Sequence, residues 1–108
     1  MYGLGDDRRR SQRFPIEMDV RYRSLKKRGT RGLGRSINIS SSGVLLSVQT
    51  EMFQEQAVEV ALNWPVRLNN VVPLQLVIQG GITRTGPGWA AVTIDRFEFR
   101  TASVQRVR

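Results

Sequence analysis

The stretch "RRRSQRFPIEMDV" (residues 8–20) joins a cluster of arginines directly to an alternating segment. Apolar and polar residues alternate from Phe14 to Arg23. The apolar members are Phe14, Ile16, Met18, Val20 and Tyr22. A period of two is typical of a strand with one face in the core and the other in solvent. We therefore expect a strand over residues 14–23, preceded by a flexible arm over residues 1–13 that shows no periodicity.

The same pattern recurs along the rest of the chain. Further strands are expected over residues 33–39, 44–48, 58–64, 72–78 and 89–95. Pro65 is expected to end one of them, Gly80-Gly81 to form a bulge or bend, and residues 86–88 to form a tight turn. Residues 49–56 could form a short helical turn. Short strands separated by turn signals predict an all-β protein, either an antiparallel barrel or a sandwich.

Composition sets limits on the function. The chain has 108 residues, 40% of them hydrophobic, which indicates one small globular domain. It contains no cysteine and no histidine, so the commonest metal ligands and general bases are missing. The serines have no histidine to activate them, and no acidic pair stands out. The N-terminal residues lack the apolar segment of a secretory leader, and no apolar run is long enough to span a membrane. We expect a cytoplasmic binding protein without a metal or cofactor, and not an enzyme.

The positive charge is concentrated in the first third of the chain. The net charge is +8, and residues 1–35 hold eleven Lys/Arg against four Asp/Glu, which gives +7 for this segment. The remainder holds six basic and five acidic residues. Such a local excess indicates a phosphate-bearing partner for the N-terminal third.

Two stretches carry groups suited to such a partner. In residues 8–13, four arginines can form bidentate, charge-assisted bonds to phosphate or to the O6/N7 edge of guanine. In "NISSSG" (residues 38–43), the asparagine amide and the serine hydroxyls can reach a base or a phosphate. Taken singly, the first could be a solvated basic tail and the second an ordinary polar turn.

Taken together, RxxxR (Arg9, Arg13) followed by a half-buried strand and then NxSxxG (Asn38, Ser40, Gly43) resembles the PilZ domain. The strand that ends near a proline at "VEVALNWP" and the hairpin "LQLVIQGGITRTGPGWAAVTI" extend the resemblance over about residues 8–100. It implies a six-stranded antiparallel β-barrel spanning residues 14–108. It also implies a receptor for cyclic di-GMP, with RxxxR on the N-terminal arm. Little or no C-terminal helix is expected, because only "EFRTASVQRVR" follows Phe97.

The resemblance also implies roles for individual residues. Arg9 and Arg13 would hold phosphates and guanine edges, Asn38 would read a guanine, Ser40 would donate to the ligand, and Gly43 would keep the turn open. Two further arginines are assigned by position in the same way. An arginine at the position of Arg8 is associated in the family with the binding of a stacked, intercalated pair of ligand molecules. Arg84 matches an arginine that projects toward the ligand in some members.

Any output would pass to a separate protein partner, which the sequence does not name. A partner or a second copy of the chain would cover the barrel end, and a homodimer is one expectation. Two alternatives remain open. One is a small basic barrel that binds RNA or DNA, disfavoured because the strands show no obvious set of exposed aromatic residues for base stacking. The other is a PilZ-like assembly module that binds no ligand.

Overall fold

The computed structural model describes residues 12–26, 29, 31–54 and 56–101, and every regular element within them is a β-strand. There are seven strands: β1 (Asp19–Ser24), β2 (Arg31–Ile39), β3 (Gly43–Val48), β4 (Ala57–Leu68), β5 (Val72–Gly86), β6 (Trp89–Thr93) and β7 (Arg96–Thr101).

Six of the strands form a closed barrel. The order is β4-β1-β2-β3-β6-β5, and pairing of β4 with β5 closes the ring. All neighbouring strands are antiparallel. The seventh strand, β7, pairs with the first half of β5 outside the ring. The six-stranded antiparallel barrel expected from the sequence is therefore confirmed, with one additional strand.

The core is built from the inward positions of the alternating strands. In β1, for example, Val20 and Tyr22 are 3% and 1% exposed while their neighbours face solvent. The Tyr22 hydroxyl accepts a hydrogen bond from the Thr50 amide at 3.2 Å, so its burial leaves no unpaired polar group. The other apolar residues of this core cluster are Met18, Ile39, Val44, Leu46, Val48, Met52, Val58, Val60, Leu62, Leu76, Ile78, Ile82, Ala90 and Val92.

The segment before β1 is held against β2 without being a regular strand. Phe14 and Ile39 exchange two backbone hydrogen bonds, of 2.8 and 3.0 Å. The Ser36 amide donates to the Met18 carbonyl at 2.9 Å. The expected strand over residues 14–23 therefore begins only at Asp19, because the pairing with β2 is irregular between these two anchors. The anchors fix where the arm enters the barrel.

A bulge in β2 causes this irregularity. The register of β2 against β3 shifts between Ser36 and Asn38, which leaves Ile37 as an extra residue. On either side of it, Ser36 and Ile39 are both buried. Because side chains alternate with a period of two, the extra residue turns Asn38 outward while Ile39 enters the core.

Two expectations about breaks in the strands were wrong. Pro65 does not end β4, which continues to Leu68. The register shift between Trp64 and Leu68 accommodates the proline, since it lies where ladder pairing is interrupted. Gly80 and Gly81 do not form the expected bulge, because β5 runs through them and its register shift lies between Ile82 and Arg84.

The loop and the end of the described chain also differ from expectation. No helix forms among the described residues of 49–56; the Gln56 amide closes a single turn onto the Phe53 carbonyl at 3.2 Å, and Met52 is buried in the core. No strand was predicted beyond residue 95, yet Arg96–Thr101 form β7. Within the described ranges, no helix is long and apolar enough to cross a membrane.

Candidate ligand-binding site

Three of the residues singled out in the sequence meet at the mouth of the β2–β3 turn. The Arg13 guanidinium donates from Nη1 to Asn38 Oδ1 at 2.9 Å. The same nitrogen lies 3.5 Å from the Gly43 carbonyl oxygen. The three residues are up to 30 positions apart in the chain, and the Phe14–Ile39 pairing beside them brings them together. The second arginine of RxxxR and two residues of NxSxxG therefore share one surface.

Ser40 organises the turn. Its hydroxyl accepts hydrogen bonds from the amides of Ser42 and Gly43, both at 3.2 Å. The Ser40 amide donates to the Gly43 carbonyl at 2.8 Å, and the residue is 6% exposed. The contacts described for this hydroxyl are thus with the turn itself. Donation to a ligand stays a prediction.

Gly43 is required by space rather than by backbone angle. Among the described glycines a positive φ occurs at Gly88, at 80°, and not at Gly43. A Cβ added at Gly43 would lie 2.9 Å from the Val92 carbonyl oxygen and 3.6 Å from Arg13 Nη2. The missing side chain therefore lets β3 approach β6 and leaves room for the arginine.

Arg84 also faces outward, at the far end of a row that crosses four strands. Asn38 pairs with Leu45, Leu45 with Ala91, and Ala91 with Arg84. Directly paired residues point to the same side of a sheet, so Asn38 and Arg84 both face outward. Three strand spacings, roughly 14 Å along the sheet, separate them. Because the ring has six strands, β2 and β5 lie on opposite sides of it, so Arg84 does not meet the Arg13–Asn38 pair.

The remaining two predicted ligands, Arg8 and Arg9, lie outside the described residues, as does the expected flexible arm up to residue 11.

The outward arginines differ in whether a carboxylate neutralises their charge. Arg35 forms ion pairs with Asp19 and, at 3.9 Å, with Glu17. Within the described ranges, neither Arg13 nor Arg84 has a carboxylate partner. The Arg13 guanidinium therefore leaves a positive potential beside Asn38, where an anion would be favoured.

Sequence reasoning missed Trp89, which also faces outward on β6. Trp89 pairs with Ser47 and Gly86 in the outward row next to Ala91. A Cβ on Gly86 would lie 2.4 Å from the indole Nε1, so the ring lies over the glycine. The outward parity of Trp89 was readable from "WAAVT". Its place between Ser47 and Gly86 was not, since that depends on the register of three strands.

A separate groove of about 450 Å³ lies on the outer surface of β1, β2 and β4, and three arginines, Arg21, Arg23 and Arg31, help to line it. The ion pair of Arg23 with Glu59 at 2.9 Å neutralises part of its charge. Of the predicted ligand-binding residues that the structure describes, none lines this groove.

Comparison with known proteins agrees with the fold. No protein-family model and no curated protein sequence matches the chain. Among solved structures, the chain is similar to the PilZ domain of CeSA from a cellulose-synthesizing bacterium, with a TM-score of 0.59 and 17% sequence identity. The match covers 79% of this chain and 81% of that one. With its closed barrel and its strand order, the chain has a PilZ-like fold.

Proposed function

We propose that the protein is a receptor for cyclic di-GMP that binds the nucleotide on the outer surface of the barrel, at the β2–β3 turn beside Arg13 and Asn38. The observation that carries the proposal is the 2.9 Å hydrogen bond between Arg13 and Asn38, since it joins the RxxxR and NxSxxG motifs. The PilZ-like barrel supports it, because PilZ domains are generally receptors of this kind.

The chemistry of the face suits a guanine and a phosphate. Arg13 can form bidentate bonds to a phosphate or to the O6/N7 edge of guanine. The Asn38 amide offers a donor and an acceptor to the Watson–Crick edge of a base. Its NH₂ group makes no hydrogen bond with the described residues, so both donors remain for a ligand. The bond from Arg13 holds the amide in place before the ligand arrives, which lowers the entropic cost of binding.

The floor and rim of the face supply the remaining contacts. Next to Asn38 the outer surface presents the apolar Leu45 and then the small Ala91, on which a flat molecule would lie. The Trp89 ring would offer a stacking surface, and the long side chain of Arg84 would reach round from β5 to a second phosphate or base. Arg8 and Arg9 would close over the phosphates from the arm. An intercalated pair of ligand molecules would use the additional charge of Arg8.

We propose that this closure is the signal. Ligand phosphates would replace repulsion among the arginines with paired contacts, and this offsets an ordering cost of roughly 1–2 kcal/mol per fixed backbone residue. The ordered arm would then dock to a separate protein. Hydrogen exchange of residues 5–14, with and without ligand, tests this step. Unchanged protection in the presence of bound ligand would contradict it.

Isothermal titration of the purified chain with cyclic di-GMP at moderate salt tests binding itself. We expect saturable binding that weakens by about 10- to 100-fold in Arg13→Ala and in Asn38→Ala, because each change removes contacts of about 1–3 kcal/mol. Arg21→Ala is the matched control, since it removes an equally exposed charge from the separate groove. Equal loss in this control would refute the assigned site.

The titration also separates the rival functions. A nucleic-acid-binding barrel would show affinity that falls steeply with salt and depends little on the base. Its affinity would fall in Arg21→Ala as much as in Arg13→Ala. An assembly module would be folded and would bind no cyclic di-GMP. Binding of cyclic di-GMP but not cyclic di-AMP, at constant salt, would favour the proposed receptor over both.

A further inference from the structure

β7 is an edge strand that carries apolar side chains on one face. It pairs with β5 along one side, and no described residue pairs with its other side. Phe97 and Phe99 lie opposite Ile78 and Leu76, and so face the same side as the core. Because β7 lies outside the closed barrel, Phe97 and Phe99 remain 63% and 48% exposed.

The exposed rings belong to a larger apolar strip. Trp64 packs edge-on against Phe99 with ring centroids 5.1 Å apart. Leu68 and Leu74, on the β4–β5 hairpin, lie on the same side, and Leu68 is 47% exposed. Natural edge strands are usually blocked by inward-pointing charges or by proline. β7 has phenylalanines at its inward positions, and therefore lacks this protection.

The outward positions of β7 carry charges of alternating sign, Arg96, Glu98 and Arg100. Within one chain, Glu98 forms an ion pair with Arg100. When a strand pairs antiparallel with a copy of itself, the central residue lies opposite its own copy and the flanking residues exchange partners. The choice of central residue decides which charges meet.

We propose that β7 pairs antiparallel with β7 of a second copy, with Phe99 on the two-fold axis. This register places Glu98 opposite Arg100 of the second copy, and does so twice. It also places Phe99 against its own copy and Phe97 against Thr101. Five of the six residues of β7 are paired in this way.

The other registers are less favourable. Centring on Glu98 would oppose two carboxylates, which is destabilising. Centring on Phe97 would pair only Arg96, Phe97 and Glu98 within the strand, and would bring the exposed Asp95 opposite Phe99. The charge pattern of β7 therefore favours a second copy of this chain as the occupant of its open edge. A dimer held mainly by one short strand is weak, because its buried area is small.

Analytical ultracentrifugation of the ligand-free chain, from about 5 to about 500 µM, covers the range in which such weak interfaces associate. We expect a reversible monomer–dimer equilibrium. Glu98→Arg and Arg100→Glu should each weaken it about tenfold or more, because two attractive cross-strand pairs become repulsive. An equimolar mixture of the two single variants should dimerise again as a heterodimer. The double variant with both substitutions should behave like the natural sequence.

Arg96→Glu is the matched control, because it reverses a charge on the same face that lies outside the proposed pairing. It should leave the dimerisation constant within about twofold. Far-ultraviolet circular dichroism checks that each variant is folded. A natural chain that remains monomeric at about 500 µM would overturn the proposal. So would a dimer that is insensitive to both single variants, or one that Arg96→Glu weakens as much as Arg100→Glu.

Discussion

The buried hydroxyl of Ser36 offers the sharpest test of how the segment before β1, which leads from the arm into the barrel, is held against β2. Ser36 Oγ donates to the Ile16 carbonyl at 2.6 Å and accepts from the Met18 amide at 2.8 Å. Ser36 is 1% exposed, so water does not reach the group. We predict that Ser36→Ala lowers the free energy of unfolding by about 2–4 kcal/mol.

This magnitude follows from what the substitution leaves behind. In the described structure the Met18 amide and the Ile16 carbonyl have Ser36 Oγ as their hydrogen-bond partner. A buried donor left without a partner costs about 1–3 kcal/mol, and a lost hydrogen bond about 1 kcal/mol. Alanine removes one oxygen atom, so the cavity term is small. The backbone bond from the Ser36 amide to the Met18 carbonyl does not depend on the side chain.

Urea unfolding followed by tryptophan fluorescence measures the change, and Ser47→Ala is the matched control. Ser47 is partly exposed on the neighbouring strand, and its hydroxyl makes a 3.4 Å contact with the Arg35 carbonyl. Its replacement should cost less than about 0.5 kcal/mol. If Ser36→Ala and Ser47→Ala give equal midpoints and slopes, the Ser36 hydroxyl does not hold the segment before β1 in place, and the reasoning fails.

Two matched pairs test the barrel by the same assay. Gly80→Ala should lower the free energy of unfolding by more than about 3 kcal/mol, because its Cβ would lie 1.7 Å from the Thr93 carbonyl oxygen. The Cβ of Gly88→Ala meets no atom within 4 Å, so this variant should lose only about 1–2 kcal/mol, through its positive φ. Equal losses would contradict the close strand approach at Gly80. Leu62→Ala, at 0% exposure, should cost about 2–5 kcal/mol, and Leu33→Ala, at 64%, less than about 0.5 kcal/mol. A reversed order would contradict the inward and outward assignment of the strands.

Much of the barrel was predictable because its strands keep a period of two. That pattern depends only on which side chains face the core. The alternation of residues 58–64 predicts β4, which in the structure begins one residue earlier, at Ala57. β7 was missed because a single pair of phenylalanines is too short a pattern to distinguish a strand from a tail. The continuation of β4 through Pro65 was missed because the sequence does not show where a register shift falls.

The candidate site was predictable to a different extent. The motif residues were found through their order and spacing, which resemble the PilZ pattern. The contact between Arg13 and Asn38 spans 25 residues, and no local rule of propensity or turn chemistry predicts it. It depends on the two backbone bonds between Phe14 and Ile39. Trp89 was missed for the same reason, since its position on the face depends on long-range pairing.

The bulge at Ile37 shows why the core and the candidate site are not independent. Without the extra residue, strict alternation from Ser36 would place Asn38 inward and Ile39 outward. The core would then receive an amide in place of an aliphatic side chain, and Arg13 would lose its partner on the surface. Burial of Ile39, at 8% exposure, thus helps to hold Asn38 in its outward position. The residue that presents the site is positioned by the hydrophobic free energy of its neighbour.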